Sequence, residues 1–262
     1  MADYYFLNTG STAWNSGANW SLTDGGAPAG VIPSTTDNAY FSNLSGNITL
    51  PSLTFAVNVD FTKGTGFTGL FTISSSFDLR IMSGGSLTLS PTMTTVSTST
   101  GGIALNNCSL NFNGNVFNGR LLLLNNITCT VTLLSKVVFK SLYLGSNDNL
   151  TFSGNYDIVI DDLIVSLGNT SLGVSKSLTV ANLATVVSTS AARFSVKSST
   201  AGTKKEVKLL SGCASDFPYT NFTDISAIGG QTIFTYKGVI TNCDNVQQLT
   251  QSISQISKGE IM

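Results

Sequence analysis

The sequence concentrates its acidic side chains in one short run, YDIVIDDL, which carries Asp157, Asp161 and Asp162. In an extended strand alternate side chains share a face, so Asp157 and Asp161 point to one side and Asp162 to the other. Two carboxylates on one face are the equipment of a glycosidase, and β-solenoids can host polysaccharide-cleaving enzymes. The supporting residues are few. Glu occurs only as Glu206 and Glu260, and no arginine lies near the run. The chain has no histidine at all, which excludes His triads, His general bases and His metal ligands. The three aspartates therefore read as a solvated strand edge marked by charge, a device that also blocks edge aggregation.

Other reactive groups are equally sparse. The four cysteines, Cys108, Cys129, Cys213 and Cys243, lack the CxxC spacing of a metal site and read as small buried thiols. Cys108 and Cys129 lie 21 residues apart, so they are candidates for equivalent positions one coil apart, with bonding between them left open. The densest basic patch, Lys204, Lys205 and Lys208 around Glu206, reads as a solvated hairpin tip between FSVKSS and VKLLSG. The Asn-x-Ser/Thr sequons at Asn43, Asn47, Asn126, Asn149, Asn169 and Asn221 are what chance provides in this composition. No catalytic, cofactor-binding or metal-binding residue is expected.

Composition explains that poverty. Charged residues make up 10% of 262, while Ser, Thr and Asn number 35, 33 and 23. The usual charged share is about a quarter. A net charge of -1 offers no footprint for nucleic acid, which is held by clustered Lys and Arg. No apolar run reaches the length of about eighteen residues needed for a membrane helix, so membrane insertion is not expected. The opening MADYYFLNTG has neither a basic n-region nor an apolar h-region, so a cleavable signal peptide is not expected either.

The elements carrying these residues are short strands. Alternating runs such as GSLTLS, CSLNFNG, TCTVTLL, DIVIDDLIVSL and KSLTVANL recur between Gly and Asn. A small motif returns as SLTF at Ser52, SLTL at Ser86, SLNF at Ser109, SLYL at Ser141, NLTF at Asn149 and SLTV at Ser177. Its gaps of 34, 23, 32, 8 and 28 residues centre on the length of a solenoid coil. The expected fold is an all-β parallel β-solenoid. Leu and Phe would stack inside, Thr and Ser would face out, and Asn would take the corners, where left-handed backbone is tolerated. An antiparallel β-sandwich or jelly roll is the alternative.

The ends differ from the body. Residues 1–45 hold Trp14 and Trp20 with Pro28, Pro33 and the loop DGGAPAG, and read as a cap sealing the first coil. Residues 46–191 form the body and 192–245 a closing β region. From Val246 the spacing of Val246, Leu249, Ile253 and Ile256 is 3, 4, 3, which predicts a C-terminal helix over 246–262 with an oligomerisation seam. Asp244 or Asn245 would cap it and Gly259 would end it.

The segment 4–41 resembles the opening of bacteriophage structural proteins of the tail-fibre or virion type. The residues that carry the resemblance are Tyr4, Tyr5, Gly10, Trp14, Asn19, Trp20, Ser21, Gly25, Gly26, Pro33, Asp37, Ala39 and Phe41. The segment LLSGCASDFPYTNFTDISAIGG at 209–230 is similar to the close of the same proteins. This sequence departs from that pattern with Asn8-Thr9-Gly10 at the first turn and ITNCDN at 240–245. The resemblance implies a non-enzymatic virion part, assembled in the host cytoplasm, with Trp14, Trp20, Pro33, Asp37 and Phe41 as its structural cap. A tail-fibre or spike role is expected, with capsid decoration or a head fibre as the alternative. The implied partners are other virion proteins and copies of itself, with a trimer favoured by the resemblance and by Ile at core positions. A host-glycan adhesin using Tyr143, Tyr156 or Tyr219, and a polysaccharide depolymerase using Asp157 and Asp161, are the competing functions.

Overall fold

Apolar side chains at alternate positions can be buried only if another strand lies level with each one. In the structure, a computed structural model describing residues 1–74, 78–97, 101–123, 127–211, 213–229 and 232–249, that partner is the next coil. The chain is all-β, a parallel β-solenoid of about nine turns. Its parallel registers set aside the sandwich alternative. Two compact units are present, Met1–Leu122 with Val131–Lys140, and Leu123–Thr130 with Ser141–Met262.

In the first unit Asp3–Phe6 lies parallel to Asn38–Ser42, which carries Thr54–Lys63, then Leu79–Thr88 and Ser109–Asn111. The register Leu87↔Leu110↔Leu133 stacks three inward leucines, all buried. Each such side chain contributes roughly 1.5–3 kcal/mol relative to exposure. A second sheet of Ile48–Leu50, Leu70–Ile73 and Thr94–Ser97 places Leu50 on Ile73 and Ile48 on Phe71. Polar side chains also form ladders: Asn38 donates to Asp3, Asn58 to Asn38 and Ser86 to Asn58, at 2.6, 2.8 and 2.9 Å.

In the second unit Asn149–Ser153, Thr170–Val174, Phe194–Ser198, Thr220–Thr223 and Ile240–Thr241 stack in succession. Their inward column runs Leu150, Leu172, Val196, Phe222, Ile240. A parallel column runs Ile158, Leu178, Val207, Ala227. The coils thus continue through 192–245 without a change of architecture. Asp148 closes a corner: its two carboxylate oxygens accept the Ile127 and Gly145 amides at 3.0 and 2.7 Å. Burial pushes its pKa up, and the two N–H bonds limit the rise.

Several sequence expectations are corrected here. The Lys204–Lys208 region is no hairpin: Phe194–Ser198 and Lys205–Leu209 each pair with other coils, and 199–204 is the corner between them. The predicted C-terminal helix fails at its start, because Val246–Leu249 is a strand pairing Val246 with Ile233 and Leu249 with Tyr236. The remainder of that helix lies outside the described residues. Cys108 and Cys129 are not stacked equivalents. The register Ser109↔Thr132 continued one residue back sets Cys108 level with Val131, and neither cysteine is in a disulfide. Among the motif copies Ser86 and Ser109 do stack directly, whereas Ser177 lies on Asp157 and Asn149 on Ser171.

Candidate functional site

The most elaborate side-chain assembly is at the N-terminus. Trp14 and Trp20 meet edge to face at 4.9 Å, and Phe6 packs on Trp20 at 5.1 Å. Phe41 touches Phe6, Trp14 and Trp20 at 5.6, 5.4 and 5.6 Å and stacks on Phe61 at 4.4 Å. The cap is thus fused to the ring column of the coils beneath it. Polar bonds hold the indoles. The Trp20 Nε1–H donates to the Trp14 carbonyl at 2.7 Å, and the Trp14 amide donates to Thr49 at 3.0 Å. Asn19, fully buried, donates to the Ala13 carbonyl and Ser11 hydroxyl and accepts from Thr9. Gly17 is required by close approach, since a Cβ there would lie 2.4 Å from the Gly30 carbonyl carbon.

Three of the five expected cap residues meet in this cluster. Trp14, Trp20 and Phe41 form its centre, and Pro33 is buried. Asp37 clamps the loop, accepting from the Ser34 hydroxyl and amide at 2.5 and 3.1 Å and from the Ala2 amide at 2.7 Å. These bonds, the Ser34 hydroxyl foremost, hold its carboxyl below the ordinary carboxylate range. A lowered folded-state pKa gives stability that is present above the unfolded value and lost as pH falls through the folded one. Asp37→Asn is therefore expected to flatten the acid limb of the melting profile, where pH falls below the unfolded carboxylate value of about 4. Thermal melts across that window check it, and an unchanged limb would refute the clamp. Phe6 and Asn19 were not singled out as cap residues from sequence. The alternation of Tyr4 and Phe6 marks the strand, but nothing local marks Asn19 as its buried bracket.

A cleft of about 330 Å³ opens beside the cap, lined by Trp14, Ile32, Pro33, Ser34, Leu53 and Phe55 among others, none of them charged. The Trp14 Nε1–H is buried with no hydrogen-bond partner among the described residues. Such a lining can bind but offers no group for proton transfer near neutral pH.

The aspartate run is arranged differently from the expectation. A register shift between Ile160 and Asp162 forms a bulge, so Asp161 and Asp162 both lie on the outer face and Leu163 takes the inward place. Asp157 pairs with Lys176 at 3.2 Å and accepts from the Ser177 hydroxyl at 2.8 Å. Asp162 accepts from Asn182 at 2.8 Å. These aspartates tie one coil to the next. Among the described residues no group of three or more His, Cys, Asp or Glu is placed to hold a metal ion. Within them no helix is long and apolar enough to cross a membrane.

Of the tyrosines, Tyr143 shares a hydrogen bond with Ser166 at 2.7 Å, Tyr156 is exposed, and Tyr219 packs on Tyr236 at 5.6 Å. Of the oligomerisation residues, Val246 and Leu249 belong to the last strand, and Ile253 and Ile256 lie outside the described residues. Comparison with known proteins returns no match, whether with a family model, a curated protein or a solved structure.

Proposed function

We propose that this chain is a non-enzymatic structural component of a bacteriophage particle, a tail-fibre or spike part displayed on its surface. The observation that carries the reading is the cap. The residues that give 4–41 its resemblance to virion proteins include Trp14, Trp20 and Phe41, and these close the first coil in one aromatic cluster. The work such a part does is mechanical. Coil-to-coil pairing satisfies the backbone, buried ladders resist local opening, and a surface of Thr, Ser and Asn stays solvated through polarity with little charge. Its partners in this proposal are other virion proteins and further copies of itself, a trimer being the preferred state. The backbone of Val246 and Leu249 pairs with Ile233 and Tyr236, and the proposed self-association seam also includes Ile253 and Ile256.

Mass spectrometry of gradient-purified particles of the virus that encodes the chain tests the reading. The chain is expected among the particle proteins, with antibody label at the tail. Abundance in infected cells together with absence from purified particles would overturn it.

A further inference from the structure

Among the described residues, eight non-glycine positions hold a left-handed backbone. Five are asparagines (Asn107, Asn113, Asn147, Asn242, Asn245) and one is Asp224. Asn and Asp suit this conformation because their short polar side chains bond locally. The two exceptions are Tyr219 and Lys237, with φ of 47° and 54°. They are stacked on each other: the registers Pro218↔Tyr236 and Phe222↔Ile240 bracket Tyr219 level with Lys237.

Both belong to one corner column of the second unit. Its earlier rungs are Asn147 and Asn169, and each asparagine Oδ1 accepts the backbone amide of the following rung, Asn169 at 3.0 Å and Arg193 at 3.2 Å. From Arg193 onward the asparagines stop. The register Phe194↔Thr220 continued one residue back sets Arg193 level with Tyr219. The column thus reads Asn147, Asn169, Arg193, Tyr219, Lys237. The last two rungs accept a conformation unfavourable for an ordinary side chain, where asparagine would serve the corner better.

The cluster those rungs build is chemically specific. The Tyr219 and Tyr236 rings lie 5.6 Å apart, edge to face. The Lys237 ammonium is 4.9 Å from the Tyr236 ring centroid, and Tyr236 holds it protonated above the ordinary lysine range. Arg193 donates through Nη1 to the Lys237 carbonyl and the Asn221 side chain, which ties its guanidinium to the Lys237 rung. Neither cation forms a salt bridge among the described residues. Gly238 lets the chain close tightly after Lys237, since a Cβ there would lie 1.8 Å from the Thr220 carbonyl.

We infer that the corner formed by Arg193, Tyr219, Tyr236 and Lys237 is a binding site for an acidic polysaccharide, a chain of uronic-acid-type sugars. The half-buried tyrosine rings offer apolar surface to the C–H side of a pyranose. The two cations offer charge-assisted hydrogen bonds to its carboxylates. A neutral glycan would leave the cations unused. Nucleic acid calls for a broader basic surface than two residues on a chain of net charge -1.

Affinity electrophoresis of the full chain through gels holding alginate, dextran or single-stranded DNA tests the site. Alginate is expected to retard the wild type, with dextran and DNA having little effect. Tyr219→Asn and Lys237→Asn, which restore the residue favoured at this corner, should each weaken the alginate interaction at least tenfold. Their melting midpoints should hold or rise, so loss of binding would not reflect loss of fold. Unchanged mobility in alginate, equal retardation of the variants, or equal retardation by dextran or DNA would overturn the site. Particle composition is a separate measurement, so failure of the virion reading and failure of this site are told apart.

Discussion

Trp20→Ala should lower the melting midpoint by roughly 6–20 °C, the product of about 3–5 kcal/mol for a deleted core aromatic and about 2–4 °C per kcal/mol at this chain length. Trp20 has no exposed surface and touches Phe6, Trp14 and Phe41 at once. Its removal would leave a void bounded by Phe6, Trp14 and Phe41, the last of which is held by its stack on Phe61. A gentler pair separates ring from hydrogen bond. Trp20→Phe keeps an aromatic but strands the Trp14 carbonyl that now accepts the indole N–H, at about 1–3 kcal/mol for an unsatisfied buried group. Trp14→Phe removes an N–H that has no partner among the described residues, so no hydrogen bond seen there is lost. Trp20→Phe is therefore expected to melt below Trp14→Phe in thermal denaturation. The reverse order, or a Trp20→Ala chain melting with the wild type, would mean that the indoles do not seal the first coil.

The aromatic cap was legible because its signal is residue type. Two tryptophans in a chain this poor in them, followed by Pro33, Asp37 and Phe41, have few other uses. Strand alternation was legible for the same reason: Leu87 and Leu110 sit inward wherever their coils begin. Register was not legible, because coil length varies. Along one corner successive rungs are 22 and 24 residues apart between Asn147, Asn169 and Arg193, and the spacing is 18 between Asn221 and Val239 near the end. A fixed-period search cannot align Tyr219 with Lys237 through such changes. The bulge at Asp161 was hidden too, since a bulge is defined by the partner strand and leaves no local mark. At the C-terminus the 3, 4, 3 spacing favoured a helix. Pairing of Val246–Leu249 along Ile233–Tyr236 satisfies those backbone groups at once, and it prevails over a pattern a lone helix would hold only marginally.

The second large effect comes from a glycine whose role is space, set beside one whose role is conformation. Between the registers Ala56↔Ile81 and Asn58↔Ser86, Val57 alone faces the four residues Met82 to Gly85. The longer strand must loop out and return against the Val57 carbonyl. Gly84 makes the turn with φ of +79° and would have open space around a Cβ. Gly85 makes the return, and a Cβ there would lie 1.8 Å from the Val57 oxygen. That oxygen is backbone, held between coils on either side, and cannot swing away as a side chain would. Gly84→Ala should cost only the left-handed penalty, about 1–2 kcal/mol. Gly85→Ala must instead separate two paired coils, so its cost should exceed the roughly 1–3 kcal/mol of ordinary overpacking. Denaturant midpoints of the two variants, measured side by side, decide the matter. Equal losses would mean that the coils are not pressed together at Val57, and a larger loss for Gly84→Ala would place the constraint in the turn and not in the contact between coils.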